Sequence, residues 1–194
     1  MHITELTAGS EPRAVDAMEI PADALVVLVG ASGCGKSSFA REHFTETQVV
    51  SSDECRRLVS DDAGSQAATR EAFAVFYTLV RGRLTHGRLT VADATNLSPR
   101  SREKLRQAAD SRRRPRIAIA LDVPLDVCVA RQTLRARQVR REVVERGHAE
   151  FQQALRDLPH EGFLHVYLVR PEVQGAAPAV TGIDESRAPR QLAV

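Results

Sequence analysis

Lysine is nearly absent: of the 27 basic residues only Lys36 and Lys104 are lysine, and the rest are arginine. A lysine inside a phosphate-binding pattern is therefore unlike its background, and the arginine skew fits a GC-rich coding sequence. Cysteine is scarce as well. Cys34, Cys55 and Cys128 are odd in number, lack metal-ligand spacing and follow no secretory segment, which argues against a disulfide framework and for reduced thiols in a cytoplasm. No long hydrophobic run exists, since the longest, from Ala24 to Gly30, is too short to span a bilayer, and no membrane role is expected. The formal net charge of +2 excludes the strong positive field of a protein that coats nucleic acid, so any such contact must be local. The histidines are scattered without ligand spacing and read as surface or packing residues. What is present is ordinary for a folded chain: 194 residues, 43% of them hydrophobic, are enough for one compact domain with its own core.

Three regions follow from composition. Residues 1–22 are polar and mixed, with Gly9, Pro12 and Pro21 breaking any period, and read as a flexible arm with one short strand near Glu19. Residues 23–170 alternate apolar runs with helical spacing. Ala24 to Val29 is a continuous apolar run, the mark of a strand buried on both faces of a parallel sheet. Further strands are expected at Gln48–Ser51, Leu89–Asp93, Arg116–Val123 and Phe163–Val169. Helices fall between them, including Ala68–Leu84, whose Ala72, Phe76 and Val80 recur at helical spacing. This order predicts an α/β sandwich with a mainly parallel central sheet. Residues 171–194, rich in Ala, Pro and Gly and without an aromatic residue, read as a disordered tail.

Gly30-Ala31-Ser32-Gly33-Cys34-Gly35-Lys36-Ser37 matches the P-loop pattern. In that pattern small residues let backbone N–H groups turn toward phosphates, and the next helix directs its positive end at them. Lys36 reaches the β- and γ-oxygens and Ser37 ligates a metal. The nucleotide site extends to Ser38, its donor is ATP with Mg2+ or Mn2+, and Cys34 is expected to be open to alkylation. Asp53 follows the next strand at the carboxyl edge of the sheet, where ligands bind. It is either a base for an attacking hydroxyl or a helix cap, and Arg56 shares its helical face. Asp93 ends a third strand and is either the acidic partner of the metal or a turn residue. The cluster Arg131, Arg135, Arg137, Arg140 and Arg141 suits either a lid over 131–146 that closes on the phosphoryl group or a solvated helix face, with Arg131 and Arg137 favoured as lid arginines. Arg112-Arg-Arg-Pro-Arg116 reads as a solvated helix end.

At these motifs the chain resembles the kinase domain of bacterial polynucleotide kinase-phosphatase, an end-healing RNA repair enzyme. The likeness lies in Leu25–Phe39, in Ser-Ser-Asp53-x-Cys-Arg56 with Leu-Val-Ser-Asp-Asp62, and in Leu89–Asn96. It continues in Arg137-Gln-Val, in Glu161-Gly-Phe163 and in Val166-Tyr-Leu, and covers about residues 18–170. The resemblance implies an adenylate-kinase-like sheet and ATP-dependent transfer of the γ-phosphoryl group to 5′-hydroxyl nucleic-acid ends. It also implies Asp53 as general base, Arg56 on the acceptor side, and Arg131 and Arg137 in the lid. The family enzyme carries further phosphatase and ligase-like domains that nothing here resembles, so healing of the 5′ side alone is expected. Two other readings compete: a kinase for a sugar, metabolite or antibiotic on the same fold, and a nucleotide-gated regulatory ATPase. A GTP switch is not expected, since no Asn-Lys-x-Asp motif occurs.

Overall fold

The computed structural model of the protein describes residues 1–133, 139–170 and 183–184. Its strands in chain order are β1 (His2–Glu5), β2 (Arg13–Val15), β3 (Ile20–Pro21), β4 (Leu25–Val29), β5 (Val49–Ser51), β6 (Thr90–Asp93), β7 (Arg116–Leu121), β8 (His165–Arg170) and β9 (Ile183–Asp184). The helices are α1 (Lys36–His43), α2 (Ser52–Ser60), α3 (Thr69–Thr85), α4 (Pro99–Asp110), α5 (Leu125–Thr133) and α6 (Arg141–Asp157). The main sheet has the order β2-β1-β8-β7-β4-β6-β5. Its five strands from β8 to β5 are parallel, and β1 and β2 join at one edge in antiparallel pairing.

β4 lies centrally, between β6 and β7, and all five of its residues are buried. Side chains alternate across a strand, so Leu25, Val27 and Val29 enter one core with Phe76 of α3, Leu105 of α4 and Phe151 of α6. Val26 and Leu28 enter the other, with Phe39 of α1 and Cys128 of α5. A sheet between two helical layers results. Because the chain leaves β4, crosses by α1 and re-enters at β5 beyond β6, the carboxyl end of β4 is a topological switch point, where α/β sheets open a crevice. None of the described helices is long and apolar enough to cross a membrane.

The N-terminal arm departs from expectation. Residues 2–15 form a β-hairpin that pairs with β8, with Ile3 opposite Val169 and buried. The breakers Gly9 and Pro12 belong to the hairpin's loop, and β1 is too short for its alternation to stand out. Edge strands need a partner or a cover, and β1 supplies one to β8. Met18 and Ile20 are also buried. Of the expected tail, Ile183–Asp184 pairs in parallel with Ile20–Pro21; its other residues lie outside the described ones.

Candidate active site

The loop after β4 turns on Gly33 and Gly35, both at positive φ of 88° and 97°, where side chains are disfavoured. A Cβ on Gly33 would sit 2.5 Å from the carbonyl oxygen of Cys128, so the loop packs directly on the backbone of α5. Gly35 is the N-cap of α1, which has no side-chain cap and no acidic residue in its first turn. Its leading N–H groups and positive dipole end are thus available to an anion. The Lys36 Nζ donates to the carbonyl oxygens of Gly30 at 2.8 Å and Ala31 at 2.9 Å and touches the Cys34 Sγ at 3.5 Å. Cys34 itself is 3% exposed under Gly30, against the expectation of an open thiol.

A cleft at the carboxyl edge of the sheet joins this loop to both strand-end carboxylates; Lys36, Ser37, Asp53, Asp93 and Thr95 line it. The Ser37 hydroxyl donates to Asp93 Oδ2 at 2.8 Å. Asp93 is 4% exposed, and burial raises its carboxyl above the usual range, against the opposing pull of Ser37 and the Lys36 charge. A buried carboxylate disfavoured in its charged form, beside a hydroxyl, is a hard oxygen pair that fits Mg2+ or Mn2+. No group of three or more His, Cys, Asp or Glu side chains that could hold a metal ion occurs among the described residues.

The N-cap of α2 is Ser51, whose Oγ accepts from the Glu54 N–H. Asp53 is therefore not the cap. Its side chain is 63% exposed at the cleft, while the Arg56 Nη1 donates to its Oδ1 at 2.6 Å and to the Ala63 carbonyl at 3.1 Å. Arg56 is buried, is not among the residues that line the cleft, and reaches it through its ion pair with Asp53.

Arg131, in the last turn of α5, is exposed and donates to the Cys34 carbonyl at 3.4 Å. It borders a hollow of about 480 Å3 on the outer side of the loop, with Gly35, Phe39, Leu121 and Val123. Arg135 and Arg137 lie outside the described residues. Arg140 is the N-cap of α6, and Arg141 pairs with Glu145, so part of the expected lid is helix.

Sequence reasoning missed a buried support. Gln132, next to Arg131, donates from Nε2 to the Ser32 Oγ at 2.6 Å. The Asn96 Nδ2 donates to the Leu28 and Ala92 carbonyls, and the Gly30 N–H to the Thr95 carbonyl, which ties the loop after β6 to β4. The fully buried Arg102 donates to the Leu97 carbonyl at 2.6 Å and holds the Glu161 carboxylate by Nε and Nη2. The Asp-x-x-Asn96 turn after β6 was the one visible signal; partners 59 and 100 residues away gave none.

A family model described as an AAA domain matches residues 25–158. Among solved structures, the chain is similar to one in the Pnkp1/Rnl/Hen1 RNA repair complex, with a TM-score of 0.59 and 21% identity over 91% of this chain and 54% of the other. A second Pnkp1/Rnl/Hen1 complex matches at TM-score 0.49 and 24% identity, over 64% of this chain and 42% of that one. A gluconokinase from Sinorhizobium meliloti 1021 matches at TM-score 0.45 and 16% identity, over 83% and 89%. The chain thus spans about half the length of the first two relatives. No curated protein matches. The likeness is one of fold, a P-loop kinase-like sandwich.

Proposed function

This chain belongs to the AAA domain family, and from that premise we propose that it is an ATP-dependent kinase that transfers the γ-phosphoryl group to a 5′-hydroxyl end of RNA or DNA. The observation that carries the proposal is the single cleft in which Asp53 faces the P-loop and Asp93. A base, a phosphate cradle and an oxygen pair for a metal are the parts that phosphoryl transfer to a hydroxyl requires.

Lys36 leaves the Gly30 and Ala31 carbonyls to meet the β- and γ-phosphates, and the first N–H groups of α1 cradle them. The hollow beside Arg131 takes the nucleoside, being within the usual size of ligand pockets. Ser37 and Asp93 would hold the divalent ion, which when bound offsets the charge of the phosphates. Asp53, oriented by Arg56, accepts the proton of the acceptor hydroxyl as its oxygen bonds to the γ-phosphorus and the bond to ADP breaks. Arg131 and Arg137 close on the transferring group. The nucleic-acid acceptor is supported by the Ser-Ser-Asp53-x-Cys-Arg56 resemblance and by the fold shared with a chain of an RNA repair complex.

Asp53→Asn tests this reading. It is expected to keep nucleotide affinity and to lose transfer by roughly two to four orders of magnitude, the worth of a positioned base. Transfer within a few-fold of the parent, with the same affinity, would remove Asp53 from the role.

A further inference from the structure

A second basic surface lies at the opposite, amino edge of the sheet, about 20 Å of strand away from the cleft. It is built from two turns, one after α3 and one between α4 and β7. The Arg112 Nε donates to the Thr85 Oγ1 at 2.7 Å and the Arg114 Nε to the Leu84 carbonyl at 3.1 Å, so the turns are locked together. Six arginines lie there, at 83, 88, 112, 113, 114 and 116, and among the described residues the carboxylates ion-paired with them are Asp23, with Arg114, and Asp110, with Arg116. The remaining excess of four charges exceeds the +2 of the whole chain, so the rest of the molecule is on balance acidic and this face stands apart.

Cations at helix C-termini are often no more than complements to the dipole. Here that account stops short. The side chains of Arg88 and Arg113 are exposed and have no hydrogen-bond or ion-pair partner among the described residues. Arg113 occupies a left-handed turn at φ 55°, where glycine or asparagine is favoured. Arg83 has a buried Nε without a partner and is held below its ordinary pKa by burial and by the charge of Arg88. Arg83, whose Nη2 donates to the Leu89 carbonyl at 2.9 Å, and Arg88 thus repel each other, and an external anion at Arg88 would offset that charge.

We propose that this face anchors the phosphate backbone of a single-stranded nucleic acid whose 5′ end is the acceptor in the cleft. The proposal rests on the function given above. Guanidinium groups suit phosphates because their paired N–H donors match two oxygens at once. A membrane surface fits less well, because such sites add a continuous apolar face to the charge. Of the exposed large apolar residues only Leu79, one turn before Arg83 on α3, and Leu164, whose N–H donates to the Arg116 carbonyl, lie near this face among the described residues.

The test is the double variant R88E/R113E of the full chain, which touches neither the cleft nor the core. Fluorescence anisotropy is read with a 5′-hydroxyl oligonucleotide of about 20 nucleotides, across a salt series. Binding is expected to weaken at least about tenfold and the salt slope to fall by about 1.4, the share of two phosphate contacts on a single strand. ATP affinity and phosphorylation of a 5′-hydroxyl dinucleotide are expected to stay as in the parent. Unchanged affinity and slope for the long oligonucleotide would overturn the proposal. So would loss of binding to phosphatidylserine vesicles alone, which would make the face a membrane contact. If oligonucleotide binding falls in the variant while the parent phosphorylates no 5′ end, the kinase reading fails and the anchoring face stands. A parent that phosphorylates the dinucleotide and a variant that binds the long strand normally give the reverse.

Discussion

Burial works against the charge on Asp93. Its carboxyl is raised above the ordinary value in the folded protein, chiefly by desolvation, so the folded state holds that proton more tightly than the unfolded one. Stability therefore declines as pH rises from the unfolded carboxyl value through the folded one, and stays lower at neutral pH. Asp93→Asn keeps an acceptor for the Ser37 hydroxyl and removes the buried charge. It is expected to raise the neutral-pH melting temperature, by about 2–4 °C for each kcal/mol regained in a chain of this size. The gain should shrink toward the acid limb, and transfer should fall sharply because an amide is a poor ligand for a hard cation. Melting curves of both proteins across pH check this; a lower melting temperature at neutral pH would contradict it. Arg56 invites a different comparison. Since the Arg56 Nη1 is engaged by Asp53 and the Ala63 carbonyl and its Nε is buried, Arg56→Ala is expected to slow transfer to an oligonucleotide and to a nucleoside by the same factor. A loss confined to the oligonucleotide would put Arg56 back on the acceptor's phosphate.

Among the elements, α4 carries the support of the site. Arg102 is fully buried and links the Asn96 and Leu97 carbonyls, just past the strand that ends in Asp93, to Glu161 beyond α6. Arg102 also has Asp157 at 3.7 Å, so Glu161→Gln weakens the charge balance without abolishing it and is expected to destabilise the fold by about 1–3 kcal/mol in urea unfolding. A change within about 0.5 kcal/mol would mean that the pair is solvated. Elements of this kind mark the limit of what the sequence discloses. The P-loop is legible because its geometry is local, and Asp93 and Asp53 because the one closes β6 and the other follows β5 in the first turn of α2, and parallel strands deliver their carboxyl ends to one edge. The grip of Arg102 on Glu161 spans 59 residues and that of Gln132 on Ser32 spans 100, distances at which no period or spacing informs. β1 and β2 were hidden by their brevity, since three or four residues around a Gly and Pro turn resemble loose chain.

At the scale of the molecule, the parallel strands lie in the order β5-β6-β4-β7-β8, and the P-loop emerges from the central one. The carboxyl ends of β5 and β6 place Asp53 and Asp93 on one side of that loop, and α5 brings Arg131 to the other. In the proposed reaction donor and acceptor would thus have separate approaches, the hollow beside Arg131 and the cleft beside Asp53. The same sandwich serves kinases of unlike substrates, so the acceptor is decided by chemistry and not by fold. The most direct measurement is transfer from γ-labelled ATP, with Mg2+, to a panel of 5′-hydroxyl RNA and DNA oligonucleotides, the matching 5′-phosphorylated strands, nucleosides and sugars. Label is expected on the 5′-hydroxyl oligonucleotides, ahead of nucleosides and sugars, and absent from strands that already carry a 5′-phosphate. Efficient labelling of a sugar or other small molecule with oligonucleotide ends left unlabelled, or ATP binding with no labelled acceptor at all, would contradict the account.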